Sequence, residues 1–198
     1  MTDLTVPPDL KFDDRGLIPV VLQHADTGEL LTVAFANAEA LRRTAESGRT
    51  WLFSRSRGEL WEKGATSGHV QEVVALGTDC DRDSVVYQVI PRGPACHTGA
   101  RSCFVDGGPT LVRLQDVLKA RQEQGGEGSY TAKLLGNRNL RLKKLGEESV
   151  ELALACADGP DNDVVYEGAD VVYHTLVALR ARGVDVEQVL AELRRRFR

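Results

Sequence analysis

The hydrophobic patterning of this chain changes kind about halfway along, and that change restricts the available folds more than any single motif does. From Leu17 to Ile90 the apolar residues fall in short β-like runs, LIPVVLQH, LLTVAFA, TWLFSRS, HVQEVVALG and SVVYQVIP, separated by Asp, Gly and Ser punctuation such as ADTGE. One helical stretch, AEALRRTAES, interrupts them; Asn37 is placed to cap its start and Gly48 follows its last turn. After Phe104 the strand signals stop. LVRLQDVLKARQEQ, RLKKLGEESVELALACA, DVVYEGADVVYHTLVALRARG and DVEQVLAELRRRF carry helical periodicity instead. In the last of these Val186, Val189, Leu190, Leu193 and Phe197 make one apolar stripe behind a capping Asp185. The expected fold class is therefore α+β: a domain of antiparallel strands over 1–104, a linker VDGGPT at 105–110, and an all-helical domain over 111–198.

Each half of the 198 residues is long enough to bury a modest core. A net charge of -4 gives no basic field, which argues against nucleic acid as a partner and in favour of small molecules. The opening MTDLTVPPDLKF has neither a basic region nor an apolar run, and nothing later reaches the roughly 18 apolar residues of a membrane span. A cytoplasmic protein is expected, without a membrane partner. In that reducing compartment the four cysteines are candidate ligands, nucleophiles or core residues rather than disulfides.

The segment TDCDRDS mixes a soft sulfur with hard oxygens. If it is extended, Asp79, Asp81 and Asp83 share one face and Cys80 and Arg82 the other. Three like charges in a row suit a hard divalent ion such as Mg²⁺; an exposed acidic turn is the alternative. Downstream, ACHTGARSC supplies Cys96 and Cys103. Three thiolates can bind Zn²⁺ and leave a position for water, and the lack of any CxxC pair argues against a zinc finger. His97 is either a fourth ligand or a general base beside an open site. In FSRSRGELWEKGATSG, the cationic Arg55, Arg57 and Lys63, with Thr66, Ser67 and Gly68, are donors suited to holding phosphate. Trp51 and Trp61 read as core residues.

WLFSRSRGELWEKGATSGHVQ, DCDRD and CHTGARSCF, in this order and spacing, resemble the phosphoribosyl-AMP cyclohydrolases of histidine biosynthesis over about Phe12 to Phe104. The resemblance implies zinc on Cys80, Cys96 and Cys103, completed across a homodimer interface, and magnesium on Asp79, Asp81 and Asp83. His69 stands where that family carries asparagine in its TSGN motif, and AFANAEAL lacks the methionine that usually precedes the Asn. The implied reaction is attack of a zinc-activated water at C6 of an adenine ring made electron-poor by the ribosyl group on N1, breaking the N1–C6 bond.

In GEESVELALACA, Glu147, Glu148 and Glu151 fall within about a 100° arc of a helix that is otherwise apolar nearly all round, so the acidic face is expected to look into the protein. Glu167 and Asp170 repeat the pattern on the next helix. Facing acidic stripes among apolar residues argue for Mg²⁺ in a bundle core, against the alternative of surface charges paired with Lys143 and Lys144. Cys156 is assigned to the core, and His174 to a packed hydrogen bond.

SYTAKLL, KKLGEESVELALA and EGADVVYHTLVAL resemble the phosphoribosyl-ATP pyrophosphatases, all-helical relatives of the MazG-type pyrophosphohydrolases, over about Leu111 to Phe197. That resemblance implies Mg²⁺ on Glu148, Glu151, Glu167 and Asp170, with Glu147, and phosphate contacts from Lys133, Arg138, Lys143 and Lys144. Together the halves imply consecutive hydrolyses, of phosphoribosyl-ATP to phosphoribosyl-AMP and pyrophosphate and then of the adenine ring to the formimino-carboxamide ribonucleotide. The rival is a general nucleotide pyrophosphatase fused to a structural zinc-binding dimerisation module.

Overall fold

Alternate burial along Ile18, Val20 and Leu22 decides which face of the first strand meets the core, since successive side chains of a strand point to opposite faces. In the computed structural model, which describes residues 4–104, 108–124 and 128–197, this strand belongs to the first of two compact units, Met1–Pro109 and Thr110–Arg198. The expected linker at 105–110 lies partly outside the described residues. The second unit begins with a helix at Thr110.

The first unit holds a four-stranded sheet in the order β2 (Leu30–Ala36), β1 (Ile18–His24), β6 (Val85–Pro91), β5 (Gln71–Thr78). Helix α1 (Ala38–Ser47) follows β2, and β3 (Trp51–Ser54) pairs with β4 (Glu59–Glu62) as a separate ribbon. Asn37 caps α1 as expected, accepting from the Ala40 amide at 2.9 Å, and Gly48 ends it at φ +66°. The sheet is mixed rather than wholly antiparallel. Sequential neighbours β1–β2 and β5–β6 pair antiparallel, but β1 and β6 run parallel with Val20 opposite Val85. The long excursion through α1 and β3 to β5 allows the chain to return in that sense. Strand β4 is not among the expected runs, because ELWE is short and has a glutamate at each end. It forms because Trp61, opposite Leu52, and Leu60, opposite Phe53, both pack against the core.

The second unit comprises α2 (Thr110–Gln124), α3 (Tyr130–Gly136), α4 (Arg138–Asp158), α5 (Asp161–Arg180) and α6 (Val186–Arg196) around Val112, Leu118, Leu134, Leu176, Val177 and Val186. The short α3 was not separated in the sequence pattern. Asn137 makes the break: it ends α3 and its side chain caps α4, accepting from the Leu140 amide at 3.0 Å. Arg141 reaches back and donates from Nη1 to the carbonyls of Leu134 and Leu135, at 2.9 Å each, satisfying the end of α3.

Two expectations for α4 fail. Cys156 is exposed rather than in the core, and the acidic face is only partly inward, with Glu148 buried but Glu151 exposed. The cause is that α4 packs on α5 along one side, where Gly168 admits the side chain of Leu152, and the described residues of the helical unit leave the other side exposed. Val150 and Leu154 on α4 and Val165 and Tyr166 on α5 are accordingly exposed by 59% to 73%. No described helix is long and apolar enough to cross a membrane.

Candidate active sites

In the β-rich unit the loop from Gly64 to His69 folds tightly on itself. Gly64 adopts φ +94°, and a Cβ there would lie 2.6 Å from the carbonyl of His69 and the amide of Val70, so only glycine fits. Buried Gln71 holds the same loop, its Nε2 donating to the carbonyls of His69 at 3.2 Å and Gly93 at 3.1 Å. The opposing loop, 95–103, is tied to β2: Ser102 Oγ donates to Leu30 O at 2.7 Å, and Cys103 N to Leu31 O at 2.8 Å. Arg101 adds an ion pair of 2.9 Å to buried Glu29.

Between these loops lies a cleft of ≈ 470 Å³. Lys63, Thr66 and Ser67 line it, facing Cys96 and His97 from a segment some thirty positions later. Gly68 lies in the same loop at φ +75°. His69 and Trp61 also line the cleft, so Trp61 combines core packing with a place at the site. Arg55 and Arg57 are not brought there. Arg55 stacks 3.8 Å from the centroid of Phe35, and Arg57 pairs with Glu59 at 2.9 Å.

Thr98 is a site residue that the sequence reasoning passed over. Its hydroxyl donates to Cys96 Sγ at 3.1 Å, and this bond is the main reason the Cys96 thiol titrates below its ordinary range, with Cys103 and Lys63 adding to it. A thiol held toward thiolate is prepared as a metal ligand. The clue was a hydroxyl two positions beyond a candidate ligand. His97 Nδ1 stands 3.8 Å from the same sulfur. Cys80 does not line the cleft, and among the described residues no group of three donors within 4.8 Å contains a cysteine. Substituting alanine for Gly64 should therefore displace the 64–69 loop and cut ring opening by at least about a hundredfold, by the sensitivity of catalysis to ångström misplacement, as a product assay would show.

TDCDRDS is not extended. Thr78 and Val85 form the last rung of the β5–β6 ladder, so the intervening residues must reverse the chain, with Arg82 at φ +65°. Reversal still gathers the carboxylates: Asp79, Asp81 and Asp83 each place an oxygen within 4.8 Å of the others. Ser84 is the main cause holding the Asp79 carboxyl down to about 2, and its amide donates to Asp79 Oδ1 at 3.1 Å. Arg82 turns away, to Asp9 at 2.7 Å.

In the helical unit Glu148, Glu151 and Glu167 each place one oxygen within 4.8 Å of the others. The charge of Glu148 is the main influence raising the Glu151 carboxyl, while the Lys144 ammonium, 2.5 Å from Glu148, chiefly lowers that of Glu148. Glu147 lies outside the trio, paired with Lys143 at 3.1 Å and Lys144 at 3.4 Å. Asp170 is also outside it, close enough to act on the charge of His174. His174 is buried with Nε2 3.8 Å from Glu148, edge-on to Tyr130 and Tyr173; burial lowers its pKa. Lys133 is exposed on α3.

Comparison with known proteins assigns each half of the chain to a family. Residues 32–105 match the family described as phosphoribosyl-AMP cyclohydrolase, and residues 111–197 match phosphoribosyl-ATP pyrophosphohydrolase. Proteins named histidine biosynthesis bifunctional protein HisIE align along almost the whole chain. The one from Aquifex aeolicus is 43% identical over 96% of this chain and 98% of its own length. That from Thermus thermophilus is 44% identical over 96% and 92%. This chain belongs to the bifunctional HisIE family. As a HisIE protein it is a histidine-biosynthesis hydrolase with a cyclohydrolase half and a pyrophosphohydrolase half, acting on small nucleotide substrates. HisIE membership also accounts for the abrupt change from strands to helices, because the two family matches meet where the patterning changes.

Proposed function

We propose that 1–104 and 111–198 are the two catalytic domains, with zinc serving the first and magnesium both. The observation that carries this reading is the cleft in which Lys63, Thr66 and Ser67 face Cys96 and His97. The donor sets fit the metals: thiolates suit zinc, and the two carboxylate trios suit a hard divalent ion whose charge relieves their repulsion. When bound, zinc lowers the pKa of a water and supplies a Lewis acid, while magnesium neutralises phosphate and orients water.

The protein's own groups do the remainder. Lys63, Thr66 and Ser67 hold the phosphate end of phosphoribosyl-AMP, Thr98 biases Cys96 toward the thiolate, and His97 accepts a proton as the ring is attacked. In the helical domain Glu148, Glu151, Glu167, Asp170 and Glu147 form the magnesium face, and Lys133, Lys143 and Lys144 meet phosphate. Lys143 and Lys144 would then exchange their present carboxylate partners for substrate oxygens. Cys80, Cys96 and Cys103 form no group of donors within 4.8 Å among the described residues of one chain, which supports a zinc site shared between two copies. The exposed apolar residues of α4 and α5 support association of the helical halves as well. The reading is thus of a homodimer, and its biosynthetic role places it in the cytoplasm.

The test is to supply phosphoribosyl-ATP with Mg²⁺ and Zn²⁺ and follow products by mass, with and without a mild zinc chelator. Pyrophosphate release should persist in both samples and ring opening only without the chelator. Ring opening that survives complete removal of zinc would overturn the zinc assignment. Equal turnover of ordinary nucleoside triphosphates would favour the general pyrophosphatase.

A further inference from the structure

The helical unit contains a second cleft, also ≈ 470 Å³, between the start of α4 and the end of α5. Arg138, Arg141 and Arg182 line it together with the apolar Leu142 and Leu145 and with Thr175, and no acidic residue does. This is unusual in a chain where Arg42, Arg43, Arg49, Arg57, Arg92, Arg180 and Arg195 all have carboxylate partners. Arg138, Arg141 and Arg182 make no ion pair among the described residues. Three guanidinium groups around one apolar-walled space, with no counter-charge, are suited to an anion joined to a less polar body. Arg141 is buried and fixed by the two α3 carbonyls, so its charge is held in place at the cleft.

The position of the cleft selects the anion. Leu145 lies one turn before Glu148 on α4, and Thr175 follows His174, whose Nε2 is 3.8 Å from Glu148. From Glu148 to Arg141 the helix rises about 10 Å at 1.5 Å per residue. The carboxylate trio and the arginine cleft thus lie along the same pair of helices, one acidic and one basic. Phosphoribosyl-ATP has a matching bipolar form: a triphosphate on one ribose, a monophosphate on a second ribose, and the purine between them. ATP lacks the second ribose and its phosphate.

Resting on the assignment of pyrophosphate release to the helical unit, we propose that the arginine cleft receives the ribosyl monophosphate of phosphoribosyl-ATP and so selects it over ordinary nucleoside triphosphates. The carboxylate trio takes the reacting end, and the apolar wall of Leu142 and Leu145 lies against the body of the substrate.

Arg138 and Arg182 are exposed and can be changed without disturbing the α3–α4 junction that Arg141 holds. In the full chain, Arg138→Ala with Arg182→Ala should raise KM for phosphoribosyl-ATP about ten- to a hundredfold, the value of losing charge-assisted contacts, with kcat little changed. Arg182→Lys alone should recover only part of the affinity lost in Arg182→Ala, because a point charge replaces a fork. Ribose 5-phosphate should inhibit the unaltered protein competitively and lose that inhibition in the double variant. An unchanged KM, or noncompetitive inhibition by ribose 5-phosphate, overturns the proposal; the second result would make the cleft a separate anion site. Should the unaltered protein release no pyrophosphate, the assignment of the helical unit fails separately. Calorimetric titration with ribose 5-phosphate then decides the cleft, since binding lost in the double variant supports it and equal binding overturns it.

Discussion

Replacing Cys96 with serine should remove bound zinc and reduce ring opening by at least about a thousandfold, the equivalent of losing several kcal/mol of Lewis-acid stabilisation, while pyrophosphate release continues. Cys96 is the informative thiol because it alone links the candidate metal site to the cleft: it lines that space, and Thr98 biases it toward the thiolate. A serine oxygen keeps a hydrogen-bonding group beside Thr98 but is a poor soft-metal ligand at neutral pH. Phosphoribosyl-AMP should therefore accumulate when the variant is given phosphoribosyl-ATP. Metal content by mass spectrometry and product identity answer together. Full ring-opening activity in a zinc-free variant would refute the assignment. Loss of activity with zinc retained would make Cys96 a catalytic thiol rather than a ligand.

The carboxylate motif shows how far local patterning reaches. The three aspartates of DCDRD do converge, but through the turn that stood as the alternative and not through an extended strand. Register in the β5–β6 hairpin imposes the turn, and register depends on pairing that five residues do not encode. The same limit explains the parallel β1–β6 pair. Long-range pairing also explains Arg55 and Arg57, which look like phosphate ligands as a string but are occupied by Phe35 and Glu59 once β3 and β4 form a ribbon. Local signals were sufficient where the physics is local. Asn37 and Gly48 bounded α1 correctly, because capping involves only the residues of one turn.

Cys156 marks the opposite limit. An apolar sequence predicts burial somewhere, but not within a single copy of the chain; the exposed Val150, Leu154, Val165 and Tyr166 share its situation. Cys156 is assigned to the core because free cysteine is commonly buried, and nothing local in the sequence separates an apolar helix face that packs inward from one that stays exposed.

Glu151→Gln should abolish magnesium-dependent pyrophosphate release, by about a thousandfold or more, without weakening the fold. The two effects separate at this residue and not at its neighbours. Glu148 is buried, bound to Lys144 and near His174, so its replacement would leave Lys144 only its longer pair with Glu147 and disturb packing around His174, confusing folding with catalysis. Glu151 is exposed and makes no ion pair among the described residues, and its main electrostatic influence is repulsion from Glu148. That repulsion raises its carboxyl pKa, which means its charged form is less favourable in the folded chain than in the unfolded one. Removing the charge at neutral pH therefore relieves the metal-free fold. The melting temperature without magnesium should stay level or rise, while the stabilisation gained on adding Mg²⁺ should shrink, because a cation bound by the folded chain contributes in proportion to its affinity. Thermal scans with and without Mg²⁺, beside a pyrophosphate assay, provide the measurement. A variant that loses activity yet keeps the full magnesium-dependent rise in melting temperature would show that Glu151 acts on the water or the substrate and not as a metal ligand.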